Sequence, residues 1–224
     1  MQRTVIGILA HVDAGKTTLS EALLYASGAI RSPGRVDHGD AHLDTFALER
    51  QRGITIFSKQ ALLRLPDWQA TLLDTPGHVD FSPEAERTLD VLDCAVLVVS
   101  APDGVQSHTR TLWKLLRQRS IPTFLFVNKT DLPYAGRDAL LAELREKLGD
   151  GVFDLAQPDL ESMSLADEGL LEEYLARGEL TQESIRRGIR QSKLFPCRFG
   201  AALRLEGTEE FLKDLCAYAP PSPA

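Results

Sequence analysis

The sequence predicts an α/β domain, a doubly wound and mostly parallel sheet with helices on both faces. Three observations predict it. Apolar runs at residues 5–9, 70–73, 95–99 and 123–127 are near-continuous rather than alternating, as in strands covered on both sides. Segments with helical spacing alternate with them, marked by Leu19, Ala22, Leu23 and Ala26, then Leu112, Leu115 and Leu116, then Leu140, Leu141, Leu144 and Leu148. A chain of 224 residues, 43% hydrophobic and 25% charged, also has enough apolar material for one sizeable core.

Taken in order, residues 5–9 form a buried strand and residues 16–29 the helix that follows it, with Gly28 where a C-cap belongs. Residues 31–52 are polar, contain Pro33, Gly34 and Gly39 and show no period, so a long loop is expected, and loops of that length in compact domains usually have a task. Strands at 70–73, 95–99 and 123–127 then alternate with two helices. Residues 150–192 break the rhythm: they are acidic, with helices expected at 164–176 and 181–191 and no strand, and read as a helical insertion at about 150–193. Residues 194–199 give a last strand despite Pro196. Residues 207–217 give a last helix, with Thr208 as N-cap and Glu209 and Glu210 in its first turn. The domain is expected to span residues 1–218, and the proline-rich APPSPA at 219–224 to be a linker to further domains rather than a folded terminus.

The net charge of −7 argues against indiscriminate binding of DNA or RNA, because counterion release needs many basic groups facing phosphates. Any nucleic-acid contact is expected to be local and shape-specific. No apolar run reaches the roughly 18 residues that span a bilayer, and His11 and Asp13 come too early for a secretory signal, so a cytoplasmic monomer without membrane contact is expected. Cys94, Cys197 and Cys216 lack CxxC spacing and lie in apolar or helical stretches, which points to buried reduced thiols and away from a metal cluster.

Four short motifs carry chemistry: AHVDAGKT at 10–17, RGIT at 52–55, DTPGH at 74–78 and NKTD at 128–131. The first departs from the phosphate-loop pattern in having Ala10 for the first glycine, and alone it competes with an ordinary Gly-Lys-Thr helix start; joint order and spacing give the set its specificity. Between a strand and a helix, the backbone at Asp13, Ala14, Gly15, Lys16, Thr17 and Thr18 can cradle phosphates, with the Lys16 charge on the β- and γ-phosphates and the Thr17 hydroxyl on Mg²⁺. Asp74 ends an apolar run and would hold Mg²⁺ through water, while the amide of Gly77 senses a γ-phosphate; the competing reading of Asp-Thr-Pro-Gly is a turn. Thr55 would bring a second hydroxyl to Mg²⁺ only when the γ-phosphate is present, although a β-branched strand start reads the same. His78 directly follows Asp-Thr-Pro-Gly, where it could orient the attacking water or stabilise the charge of phosphoryl transfer, although a lone histidine after a turn is usually a surface residue. Asn128, Lys129 and Asp131 follow a strand, where the Asp131 carboxylate can accept from guanine N1 and its exocyclic amine while Lys129 packs along the base. Adenine has no such donor pair, so GTP and GDP are the expected ligands. No catalytic role is expected for His11, His38, His42 or His108.

The stretches AHVDAGKTT, LERQRGITI, DTPGHVDF and VNKTD resemble the G domain of ribosome-associated translational GTPases, a phosphate-loop NTPase fold, over nearly the whole chain. Within that superfamily the stretches between motifs, and the short segment from 131 to 200, look closest to the ribosomal protection proteins that confer tetracycline resistance. Elongation factor G-type translocases and release factor 3 remain alternatives. The resemblance implies that His78 is the catalytic histidine, positioned by large-subunit ribosomal RNA near the GTPase-activating site, and that Val12 and Ile54 gate its approach to water. It implies slow hydrolysis without the ribosome. It also shows a departure: a Ser-Ala pair usual after the last strand is replaced by Ala201 and Ala202, followed by Leu203, removing a hydroxyl that can brace Asp131 while leaving the Ala202 amide for guanine O6. A GTP-sensing scaffold that hardly hydrolyses, or an ATP-dependent kinase or transporter subunit, are the readings of other classes.

Overall fold

The computed structural model describes residues 2–33, 59–74 and 89–222, with the backbone alone for Lys59 and Asp74. Among them, a seven-stranded sheet runs in the order β2-β3-β1-β4-β5-β7-β6. Its strands are β1 (Gln2–Ala10), β2 (Lys59–Leu65), β3 (Trp68–Asp74), β4 (Cys94–Ser100), β5 (Thr123–Asn128), β6 (Val152–Asp154) and β7 (Phe195–Phe199). Every neighbouring pair is parallel except β2 with β3. The mostly parallel α/β sheet expected from the sequence is therefore present.

The near-continuous apolar runs are explained by burial on both faces. Along β4, Cys94, Val96 and Val98 enter the cluster that packs under α1 (Lys16–Ala26), while Ala95, Leu97 and Val99 enter the opposite one with Trp113, Leu116, Leu140 and Leu144. Those four come from α2 (Ser107–Gln118) and α3 (Arg137–Leu148). A strand without a solvent face has no reason to alternate.

Several local expectations are corrected. The edge strand β2 was not anticipated; Pro66 and Asp67 alone join it to β3, so the pair is a hairpin rather than a crossover unit. The insertion region is not strandless, because Val152–Asp154 adds parallel to β7 as β6. Its helices are α4 (Leu160–Ser164), α5 (Glu168–Arg177) and α6 (Gln182–Arg190), capped by Asp159, Asp167 and Thr181, which accept from Ser162, Gly169 and Ser184. The last helix, α7 (Thr208–Tyr218), is capped by Gly207 at φ 72°, and the Thr208 hydroxyl donates instead to Leu205 O at 2.9 Å. A Cβ at Gly207 would lie 2.7 Å from Phe199 O, so the loop's close crossing of the strand end takes the position from Thr208.

Residues 219–222 are packed, against the expectation of an undocked linker. Gln2 Nε2 donates to Ala219 O at 3.1 Å, Thr4 Oγ1 to Pro220 O at 3.0 Å and Ser222 N to Arg3 O at 2.7 Å. Cys94 and Cys197 are buried as expected, whereas Cys216 is only partly so. No helix among the described residues is long and apolar enough to cross a membrane.

Candidate functional site

The parallel strands deliver the motifs to one edge. Ala10, Asp74, Asn128 and Phe199 are the C-terminal residues of β1, β3, β5 and β7, and the connection leaves β1 for β3 on one side and β4 on the other, the switch point at which such sheets bind ligands. The β1–β3 register pairs Ile8 with Asp74, which places the end of β3 alongside the last residues of β1.

Past Ala10 the chain turns tightly: Ala14 N donates to His11 O at 3.1 Å, and Asp13 and Gly15 hold φ values of 62° and 93°. Lys16 then opens α1 and is buried, with Thr17 and Thr18 half-buried behind it. No side chain caps this helix, so its first turn presents the positive end of the dipole to the loop. Val12, expected in an apolar gate, is 37% exposed on this loop. His11 lies edge-on to His108, ring centroids 5.7 Å apart.

Asn128 ties two loops together. It is 2% exposed, its Nδ2 donates to Ala14 O at 2.9 Å, and its Oδ1 accepts from Ala202 N at 2.9 Å. The amide expected to reach guanine O6 is thus engaged by Asn128. Gly15 is demanded by the same contact, since a Cβ there would stand 2.2 Å from Asn128 Nδ2. The base-side loops are joined again by Gly200 N to Val127 O at 2.9 Å and Thr130 N to Gly200 O at 3.2 Å. Lys129 adopts φ 64°, a left-handed backbone that turns the chain toward Asp131. Ala201 is fully buried and Leu203 is 53% exposed.

Asp131 is paired with a residue the sequence did not single out. Arg204 Nε lies 3.1 Å from Asp131 Oδ2, with side-chain exposures of 60% and 12%. Nothing in the local pattern marks an arginine three residues past Ala201; the pairing appears only once the turn Ala202–Arg204 folds back over the end of β5. Ile54, Thr55, Gly77 and His78 lie outside the described residues, as does the side chain of Asp74.

The family model described as the elongation factor Tu GTP binding domain matches residues 1–221. The chain is 39% identical to the tetracycline resistance protein TetP of Clostridium perfringens, over 96% of this chain and 37% of that protein. It is 41% identical to TetW of Butyrivibrio fibrisolvens over 88% and 34%. The oxytetracycline resistance protein of Streptomyces rimosus is 40% identical over 98% and 38%. A crystal structure of a protein from Thermus thermophilus superposes with a TM-score of 0.86 at 26% identity, covering 98% of this chain and 40% of that one. The chain spans between 34% and 38% of the length of these curated relatives.

Proposed function

The chain belongs to the elongation factor Tu GTP-binding domain family, as a G domain of a translational GTPase, and we propose that it serves a ribosomal protection protein that hydrolyses GTP on the ribosome to release tetracycline. The observation that carries the nucleotide reading is the Asn128 bridge, because it locks the loop that meets phosphates to the loops that meet the base. The drug-protection role rests on similarity to proteins named for tetracycline resistance.

In this reading the amides of residues 13–18 and the Lys16 ammonium hold the β- and γ-phosphates. Asp131 accepts from guanine N1 and the exocyclic amine, and Lys129 packs along the base. An adenine there leaves the nearly buried carboxylate without those partners, at a cost of order 1–3 kcal/mol. Magnesium fits the donor set, since the Thr17 hydroxyl stands on the first turn of α1 and the β1–β3 register carries Asp74 to the same edge, with Thr55 as a further oxygen donor. Thr17, Asp74 and Thr55 would hold the ion, which would supply positive charge against the charge that develops on the phosphates. The Gly77 amide senses the γ-phosphate. His78 orients water once large-subunit ribosomal RNA positions it, with Val12 and Ile54 as the gate. The protein then works in the cytoplasm, as a monomer that visits the ribosome.

Hydrolysis of GTP and of ATP, with and without 70S ribosomes, tests this for the protein and for His78→Ala. Slow GTP turnover accelerated roughly 10³- to 10⁵-fold by ribosomes, abolished in the variant and untouched by excess ATP, is the expected result. An ATP rate equal to the GTP rate, or full activity of His78→Ala, removes the mechanism. Failure of a full-length protein carrying this G domain to release tetracycline from 70S particles removes the drug-protection role alone.

A further inference from the structure

We propose that Arg204 is a positioning residue for base recognition, anchoring the Asp131 carboxylate from its solvent side so that both oxygens face the guanine edge together. This rests on the assignment of Asp131 as the guanine-reading carboxylate.

The pair is asymmetric. Asp131 is 12% exposed and Arg204 60%, so the carboxylate belongs to the interior and the guanidinium reaches in to it from outside. A carboxylate held that far from water needs a fixed partner to stay satisfied and oriented. Arg204 is the one cation within ion-pair distance of it among the described residues. Its neighbour in the same loop, Ala201, is buried and offers a methyl group with nothing to donate.

The arginine's own backbone is fixed by the elements that build the site. Arg204 ends the turn Ala202–Arg204, whose first amide donates to Asn128 Oδ1. Arg204 N donates to Ala201 O at 2.9 Å, and Ala201 and Glu206 exchange both backbone hydrogen bonds, at 3.0 and 3.1 Å. The guanidinium therefore projects from a braced turn onto Asp131. Arginine and base do not compete, since Nε meets Oδ2 as an ion pair and an ionised carboxylate offers about four lone-pair sites, of which guanine takes two.

Binding of fluorescent GDP, IDP and ADP to the protein, to Arg204→Ala and to Arg204→Lys tests the proposal. IDP lacks the exocyclic amine, so the GDP-to-IDP affinity ratio reports whether the carboxylate accepts both hydrogen bonds. Arg204→Ala is expected to weaken GDP binding about fivefold, the upper range for a pair of this exposure. It should shrink the GDP-to-IDP ratio at an unchanged melting temperature of the unliganded protein. Arg204→Lys should keep part of the ratio, having the charge without the rigid fork. A ratio unchanged in Arg204→Ala overturns the proposal, as does tighter GDP binding, which would make the arginine an obstruction. Equal affinity of the unsubstituted protein for GDP and ADP would instead overturn the assignment of Asp131 on which it stands.

Discussion

Asn128 shows how a single motif side chain can act as a structural tie. Its amide gives a proton to Ala14 O and takes one from Ala202 N, both at 2.9 Å, at a site 2% exposed. Asn128→Ala leaves a buried carbonyl and a buried amide without partners, each costing about 1–3 kcal/mol. The variant is expected to lose about 2–4 kcal/mol of unfolding free energy in urea titration and to bind GDP at least tenfold more weakly. Loss of GDP binding at unchanged stability would show that the tie contributes nothing. The motif made Asn128 legible as a site residue, but not as a tie, because its partner Ala14 lies 114 residues away and no local period records such a contact. Gly15, named in the sequence as part of the loop backbone, is required here by the approach of Asn128 Nδ2.

At the scale of elements, buried strands and amphipathic helices were readable because burial on one or both faces writes directly into residue spacing. The edges were not. β2 is a hairpin edge with Gln60 and Arg64 exposed and Leu63 buried, a weak pattern, and β6 has three residues, fewer than any period needs. Of the insertion's three helices, α5 and α6 were placed within a few residues and α4 was not anticipated; their caps are local, while tertiary contacts fix how they pack. One such contact joins α5 to α6: Glu173 Oε1 accepts from Thr181 N at 3.0 Å, and Oε2 accepts from the Ser184 hydroxyl. These hydrogen bonds, the Ser184 hydroxyl foremost, hold the Glu173 carboxyl below its ordinary value of 4.5. A carboxyl depressed in the folded state contributes stability that is present above its unfolded value and is lost as pH falls toward the folded one. Amide protection in Gln182–Arg190, corrected for intrinsic exchange, is therefore expected to drop below about pH 4.5 before that of β4 does. Glu173→Gln should flatten the profile. An equal fall in both segments of the unsubstituted protein would mean that the carboxylate does not hold α6.

On the scale of the whole molecule, the first strand and the residues after the last helix close against each other. Proline-rich composition suggested a linker at residues 219–222, but docking is a matter of partners, and theirs lie at residues 2–4 and at Asp93. Asp93 is the hub, accepting from Val5 N at 2.7 Å and from the Ser222 hydroxyl. Cysteine chemistry can report this closure. Burial, with Asp93 adding to it for Cys94 and Asp154 for Cys197, pushes both thiols far up, and both are fully buried, so neither is expected to react with a disulfide reagent in the folded chain. Cys216, half-buried near the end of α7 and raised by burial and then by Asp67, should react slowly at neutral pH and faster as pH rises. Asp93→Ala removes the acceptor of the Ser222 hydroxyl and leaves Val5 N without its carboxylate, with Ser222 N to Arg3 O still in place, and is expected to loosen the docked segment and the last turn of α7 before it. The rate at Cys216 should rise several-fold, while Cys94 stays inert because burial, the larger cause of its shift, is untouched. If Asp93→Ala leaves the Cys216 rate as it was, the two ends of the domain are held by the strand-to-tail hydrogen bonds alone; if Cys94 becomes reactive, the side chain at residue 93 supports the sheet and not merely its closure.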